Sequence, residues 1–239
     1  DKFFFIALKN TFIILIGITI TILPLSFIVA LLLEKPFRGS GVVQSMIFAP
    51  NVIAPILVGL IWLFILDPKM GMINAILRSI GLSDYQQQWI GGKTLTPYSV
   101  AFVYLWQVLG FYTTINMAGL RSIPADIYEA AEIDGASRWQ KITHVTLPSL
   151  KSTIIILVLM SLSGIFRSDF GLFYQVTQNS GPLIKVTQTI DTYVYRGLMQ
   201  TNNIGMSSAA GVYQSVVGFI LVMAANGIVR KVDKDSALF

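Results

Sequence analysis

The sequence predicts an all-α protein that crosses a membrane as a bundle of about five helices. Of its 239 residues, 54% are hydrophobic and only 12% are charged, whereas an average soluble domain has about 25% charged residues. A helix needs roughly 20 apolar residues to cross the hydrocarbon layer. Five runs approach or exceed that length, at about 11–33, 42–66, 97–120, 148–166 and 207–229. The chain 1–239 is treated as one transmembrane domain.

The first two runs contain no charged residue. Pro24 lies inside the first run and predicts a kink there. The second run contains Pro50 and Pro55, with Asn51 between them. Proline frees backbone carbonyls, which neighbouring helices or a wet cavity must then satisfy. These positions therefore predict either packing kinks or part of a polar pathway.

A polar segment at 123–147, here called the elbow, separates the third and fourth runs and predicts two short helices joined by a bend. Pro124 suits the first turn of a helix, and Gly135 supplies the permissive backbone that a bend needs. Ser137 followed by Gln140 matches a capping box, so a second helix is expected to begin there. Pro148 is expected to open the next apolar helix.

The elbow carries more apolar side chains than two short helices can bury among themselves. One interpretation is an apolar face that docks in a groove of a soluble partner. The other is a helix lying in the bilayer interface, and the residues alone do not decide between them. The apolar residues concerned are Ile127, Ala130, Ala131, Ile133, Trp139, Ile142 and Val145.

The remaining elements are two polar connections and the last helix. The first connection contains Gly92-Lys93-Thr94, but Gln87 stands where a phosphate-binding loop requires its earlier glycine. No ATP site is therefore expected in this chain. The second connection, 168–206, is rich in Asn, Gln, Gly and Tyr. In the last helix, small residues recur every four positions and predict close helix packing.

Three motifs in the elbow resemble those of a known family. Glu129-Ala130-Ala131, Asp134-Gly135-Ala136 and Leu147-Pro148, at this spacing, resemble the EAA loop of type I ABC importer permeases. The run APNVIAPILVGLIWLFILDPKMGMIN is similar to the same family. The later segment DFGLFYQVTQNSGPLIKVTQTIDTYVYR resembles its polysaccharide-type subgroup.

The resemblance implies that the elbow is a coupling helix that fits a cleft of an ATP-binding subunit. Glu129 would make polar contacts there, Gly135 would form the turn, and Ala130, Ala131 and Ala136 would permit close approach. Ile142 and Val145 stand where the family often has Phe and Ile, which leaves the apolar character unchanged.

The family further implies the partners and the location. These are two ABC ATPase subunits, a second homologous permease subunit, an extracytoplasmic solute-binding protein, membrane lipid and an oligosaccharide substrate, with no nucleic acid. The chain itself would bind no cofactor, because ATP and Mg belong to the ATPase subunits. The expected location is a bacterial inner membrane, and such permeases usually have one more helix ahead of the segment that begins here.

Basic residues give the orientation. With the elbow in the cytoplasm, nine Lys and Arg lie on the inner side and eight on the outer side. The inner ones crowd next to helix ends in shorter segments, which favours a cytoplasmic elbow.

Polar residues in or near the helices are candidates for a sugar pathway, because intramembrane polar groups often line one. Asn and Gln also join helices to each other, and Asp169 has the alternative of a surface ion pair with Arg167. The candidates are Asn51, Gln107, Tyr112, Asn116, Asp169, Gln175, Tyr213 and Gln214.

No catalytic group or metal site is expected. His144 is the only histidine, and no suitably spaced ligands accompany it. Two other classes of protein were weighed. An autonomous ion-coupled transporter would need carboxylates or broken-helix ion sites within the spans, and a membrane-embedded hydrolase would need a nucleophile and a base.

Overall fold

The computed structural model describes residues 1–35, 37–164, 170–178 and 180–232. Within these ranges the regular elements are all helical, which confirms the predicted all-α class. In chain order they are α1 (Lys2–Leu33), α2 (Ser40–Val52), α3 (Pro55–Leu66), α4 (Met72–Ser79), a 3₁₀ turn (Ser83–Tyr85), α5 (Thr96–Arg121), α6 (Ala125–Ile133), α7 (Arg138–Lys141), a π-helical turn (Ile142–Thr146), α8 (Leu147–Ser149), α9 (Lys151–Ser163), α10 (Phe170–Thr177), α11 (Gly181–Thr187), α12 (Ile190–Met199) and α13 (Ile204–Val232).

Three helices, α1, α5 and α13, are individually long and apolar enough to cross a membrane. Two further candidates are bent: α2 and α3 meet at 104°, and residues 138–149 meet 151–163 at 65°. By length and composition, the described residues therefore contain three candidate spans, or up to five if each bent pair crosses as one, which agrees with the predicted polytopic bundle.

The span expected at 42–66 is broken into α2 and α3. Ala54 has φ −55° and ψ 132°, and Pro55 is the first residue of α3. A proline disfavours the helical conformation for the residue before it, so α2 ends just before this pair. Pro50, by contrast, lies inside α2 and does not end it.

The other expected boundaries also shift. α1 begins at Lys2 rather than near 11, and the Asp1 side chain accepts a hydrogen bond from Phe3 N–H (2.8 Å) at its start. Pro148 lies in the short helix α8, and α9 begins only after Leu150, whose φ is −90° and ψ 5°. Residues 165–166 of the expected fourth span lie outside the described residues.

The segment 168–206, expected as a polar connection, contains the helices α10, α11 and α12. Thr189 starts α12 through a capping box with Thr192, in which each residue satisfies a backbone donor of the other. Leu172, Phe173 and Ile190 are fully buried. These apolar residues are buried although they are scattered along the segment and form no long apolar run.

The chain divides into two compact units. The first comprises Asp1–Ile18, Val52–Gln107 and Ser163–Leu221, and the second Thr19–Asn51, Val108–Leu162 and Val222–Phe239. The first has a core of Val58, Leu66, Ile90, Val100, Val103, Leu172, Phe173 and Val176. The second has a core of Ala30, Leu33, Met117, Leu120 and Leu150.

Candidate functional site

The elbow lies in the second unit and bends at Gly135, between α6 and α7. Gly135 has φ +78°, a left-handed conformation that glycine adopts without a steric penalty. Its N–H donates to the Glu132 carbonyl (3.0 Å), and Ala136 N–H donates to the Ala131 carbonyl (2.9 Å). This pair of bonds is a Schellman motif. It fixes where α6 ends and the direction in which the chain leaves.

The second helix begins where the sequence predicts. Ser137 Oγ accepts from Gln140 N–H (3.3 Å), and Gln140 Oε1 accepts from Ser137 N–H (2.8 Å). The predicted capping box is therefore confirmed. Pro124 differs slightly from expectation, because it lies just before α6 with φ −60° and ψ 140° rather than in its first turn.

Two side-chain contacts that the sequence did not predict tie the elbow together. The Tyr128 hydroxyl lies 2.9 Å from Thr146 Oγ1, which joins α6 to the π-helical turn. Lys141 Nζ forms an ion pair with Glu132, which remains exposed. The Lys141 hydrogen bond, followed by the charge of the same lysine, lowers the pKa of Glu132 below its ordinary value.

Most of the predicted coupling residues lie on the surface of the elbow. Ala131 and Ala136 are half-buried. The others, Glu129, Ala130, Asp134, Gly135, Leu147 and Pro148, are exposed. Ile133 and Trp139 are 87% and 71% exposed, whereas Ile142 and Val145 are half-buried. The elbow thus presents a combined apolar and acidic surface, and two large apolar side chains on it are uncovered within the second unit.

Gln107 is the most informative pathway candidate in the first unit. Its side chain is 4% exposed, and Nε2 donates to the Ile53 carbonyl (3.5 Å) at the break between α2 and α3. Its Oε1 has no hydrogen-bond partner. Gln107 therefore satisfies a carbonyl at a proline break and retains one acceptor.

Three other candidates of the first unit contact neighbouring helices. Gln214 Nε2 donates to Asp191 Oδ1 (2.9 Å), and the Tyr213 ring packs edge-on against Phe4 at 5.3 Å. Gln175 lies where α10 meets α3, because a Cβ added at Gly59 would be 2.7 Å from the Gln175 Cβ. Asp169 lies outside the described residues.

Asn116 is the buried pathway candidate of the second unit, at 1% exposure. Its Nδ2 donates to Ser26 Oγ (3.1 Å) and to the Tyr112 carbonyl (3.1 Å), so it joins α5 to α1. Its Oδ1 has no partner. Asn51 and Tyr112 are half-buried. The predicted residues thus fall in two units, and among them Gln107 and Asn116 each keep one buried amide oxygen without a partner.

Neither a metal site nor a catalytic histidine emerges from the described ranges. Within them, no group of three or more His, Cys, Asp or Glu side chains could hold a metal ion. His144 is exposed, and its Nδ1 lies 2.8 Å from Thr143 Oγ1.

The chain is similar to permease proteins of bacterial transporters. It is 31% identical to the diacetylchitobiose uptake system permease protein of Streptomyces coelicolor, covering 94% of this chain and 65% of that protein. It is 28% identical to the polygalacturonan/rhamnogalacturonan transport system permease protein of Bacillus subtilis, covering 97% of this chain and 72% of that protein. The chain therefore spans about two thirds of the length of these relatives.

Two solved structures have the same fold. One is a bacterial ABC transporter involved in the import of the acidic polysaccharide alginate, with a TM-score of 0.90 and 26% identity over 98% of this chain and 81% of that chain. The other is the bacterial alginate ABC transporter in complex with alginate pentasaccharide-bound periplasmic protein, with a TM-score of 0.90 and 27% identity over the same shares. Residues 22–234 match the family model of this group. The chain belongs to the family of binding-protein-dependent transport system inner membrane components.

Proposed function

We propose that this chain is the transmembrane permease subunit of an ATP-driven ABC importer that translocates an oligosaccharide or polysaccharide fragment. The observation that carries the proposal is the surface of the elbow. Its EAA-type residues lie around a bend that is held by hydrogen bonds, and Ile133 and Trp139 are exposed beside them. In a member of this family, such a surface is suited to a partner's groove. The relatives named for saccharide uptake support the substrate class.

The elbow transmits movement as a stiff unit. Backbone hydrogen bonds around Gly135 fix the bend, and the capping box of Ser137 and Gln140 fixes the start of the second helix. The contact between Tyr128 and Thr146 joins α6 to the π-helical turn. α8 and Leu150 connect the π-helical turn at the end of the elbow to α9. Displacement of the elbow by a partner therefore moves α9, as expected for a rigid-body switching transition.

The other components follow from the same proposal. Two ABC ATPase subunits carry ATP and Mg, and their closure drives the elbow. A second permease subunit completes the pathway, and a solute-binding protein delivers the saccharide from outside a bacterial inner membrane. The chain of this proposal performs no hydrolysis itself.

Gln107 and Asn116 are the pathway residues that we favour. Each is buried and keeps one amide oxygen without a partner. A buried acceptor of this kind can accept a hydrogen bond from a sugar hydroxyl when substrate occupies the pathway.

The test is Glu129→Lys in the complete transporter, with Asp84→Lys as the matched control. Both residues are exposed acids, but Asp84 lies in the 3₁₀ turn after α4. We expect Glu129→Lys to lose the copurifying ATPase and ATP-dependent uptake in vesicles, because reversing the charge removes the polar contacts that Glu129 is expected to make in the cleft. Asp84→Lys is expected to retain both.

A contrary result would be saccharide uptake by the purified chain with no ATPase present and with a dependence on an ion gradient. That outcome would replace the proposal by an autonomous ion-coupled transporter. Equal behaviour of Glu129→Lys and Asp84→Lys would remove the assigned role of the elbow while leaving the family unchanged.

A further inference from the structure

A cavity of about 270 Å³ lies at the start of α13, within the first unit. Among the residues that line it are Gln188, Arg196, Asn203 and Ser207. The opposite end of α13 carries Arg230 and Lys231. Basic residues mark the cytoplasmic side, so the cavity lies at the outer end of this helix, where a delivered substrate arrives.

Two residues that line the cavity each contain a buried polar atom without a hydrogen-bond partner. These atoms are Arg196 Nε and Ser207 Oγ, and Ser207 is only 1% exposed. The guanidinium is also fixed in place, because Arg196 Nη1 donates to Gln188 Oε1 (3.0 Å). Buried polar groups without a partner are rare in folded proteins, so these two groups together indicate a missing acceptor.

The charge of Arg196 is also unbalanced. It forms no ion pair with any residue in the described part of the chain, and burial lowers the pKa of its guanidinium. The Asp1 carboxylate lines the same cavity but accepts from the Tyr193 hydroxyl (2.9 Å) and from Phe3 N–H (2.8 Å). Arg196 is half-buried, and a cation withdrawn from water is normally paired with an anion, so the acceptor that fits is negatively charged.

The hydroxyl of Ser207 is held close to the Arg196 segment. A Cβ added at Gly197 would lie 1.8 Å from Ser207 Oγ. Only glycine therefore leaves space for this hydroxyl beside α12, next in sequence to Arg196.

We propose that this cavity is a subsite for the carboxylate of an acidic sugar, with Arg196 as the residue that selects it and Ser207 as a second donor. This inference rests on the proposed function. A guanidinium edge matches the two oxygens of a carboxylate, whereas a neutral sugar leaves the charge unpaired. Similar proteins are named for polygalacturonan and alginate transport, and both are polymers of carboxylated sugars.

The test compares two probes in vesicles that contain the complete transporter. One probe is trigalacturonate and the other is its methyl ester, which has the same sugar skeleton without the charge. The variants are Arg196→Gln, Arg196→Lys and Ser207→Ala. Arg78→Gln is the matched control, because Arg78 is an exposed arginine in the shorter helix α4.

We expect Arg196→Gln to raise the KM for trigalacturonate about tenfold or more, equivalent to about 1.4 kcal/mol, with the KM for the ester unchanged. Arg196→Lys is expected to raise this KM less than Arg196→Gln does, because lysine keeps the positive charge but lacks the paired N–H donors of the guanidinium. Ser207→Ala is expected to raise the KM for the acid by a smaller factor. Since Ser207→Ala only removes a hydroxyl, it decides the question if Arg196→Gln does not assemble.

Three results would overturn the inference. The first is an equal change for acid and ester, which indicates a packing role only. The second is uptake of the ester but not of the acid by the unaltered transporter. The third is a weaker response of Arg196→Gln to the binding protein, whichever sugar it carries, which indicates a docking contact. In each of these cases ATP-driven uptake persists, whereas failure of the proposed function removes ATP-driven uptake of both probes.

Discussion

The elbow and the α11–α12 segment both consist of short helices, but the hydrogen bonds that hold them differ in range. The bonds of the elbow are local: Ser137 and Gln140 are three residues apart, Glu132 and Lys141 nine, and Tyr128 and Thr146 eighteen. The bonds of α11–α12 reach across the chain. Ile190 N–H donates to Thr11 Oγ1, 179 residues away, and Asn10 Nδ2 donates to the Lys185 carbonyl, 175 residues away.

Burial differs in the same sense. The elbow leaves Ile133 and Trp139 uncovered, whereas α11 and α12 bury Leu183, Ile190 and Tyr193. An element with local bonds keeps its shape while its surface remains available to a partner. An element with distant bonds depends on the unit around it. The comparison therefore predicts that changes in the elbow affect coupling, and changes at α11–α12 affect stability.

The largest expected effect is that of Gly135→Val. It forces a β-branched residue into a left-handed conformation with φ +78°, which costs about 1–2 kcal/mol and disrupts the Schellman bonds. We expect loss of ATP-driven uptake with the chain still inserted in the membrane. Gly81→Val is the matched control, because Gly81 has φ +79° and equally open surroundings.

The comparison of these two glycines separates strain from coupling. Both variants are expected to lose similar stability in thermal unfolding, but only Gly135→Val is expected to release the ATPase. If both variants retained the copurifying ATPase, the elbow would not be the coupling element.

The second effect is that of Thr11→Val, which tests the distant bonds of α12. Thr11 is fully buried, and its Oγ1 accepts from Ile190 N–H at 3.1 Å. The change retains the shape but leaves a buried donor unpaired, which costs about 1–3 kcal/mol. We expect a lower thermal midpoint of the purified transporter.

Thr114→Val is the control for that change. Thr114 is exposed, and its hydroxyl only donates to the Gly110 carbonyl one helical turn away. Its midpoint is expected to stay near that of the unaltered protein. A midpoint for Thr11→Val equal to the control would show that the distant bond contributes little.

The smallest effect is that of Glu132→Gln, which removes the ion pair with Lys141. The pKa of Glu132 is lowered in the folded protein, so its contribution is present above the unfolded pKa and is lost as pH falls through the folded pKa. Exposed ion pairs stabilise little. We expect a small drop of the thermal midpoint at neutral pH that disappears as the pH falls below the carboxylate's ordinary pKa of about 4.3. A difference that grew with acidity would contradict the assigned pairing.

Much of the elbow could be predicted from the sequence because its structure is decided within a few residues. The glycine at the bend and the Ser137–Gln140 box are short-range signals, and the structure confirms both. The contact of Tyr128 with Thr146 was not predicted, because it depends on how the two arms fold back on each other. The roles of Glu129 and the neighbouring alanines remain predictions.

The pathway candidates illustrate the limit of this reasoning. Gln107 and Gln214 have the same side chain and similar apolar neighbours in sequence, yet Gln214 is paired with Asp191 and Gln107 keeps a free acceptor. In the sequence, Arg196 is only one of eight basic residues expected on the outer side. Its partial burial, and the bond to Gln188 that fixes it, come from helices that the composition of 168–206 did not reveal.

The sequence by itself determined that the chain is helical, that it belongs in a membrane and that its elbow bends at Gly135, because apolar run length and local backbone preference are properties of neighbouring residues. Only the tertiary structure decided where the 42–66 run breaks in direction, which polar side chains are paired, and which charge is left without a counterion. Those outcomes depend on contacts between residues as far apart in sequence as Thr11 and Ile190. No local sequence pattern in either segment predicts that contact.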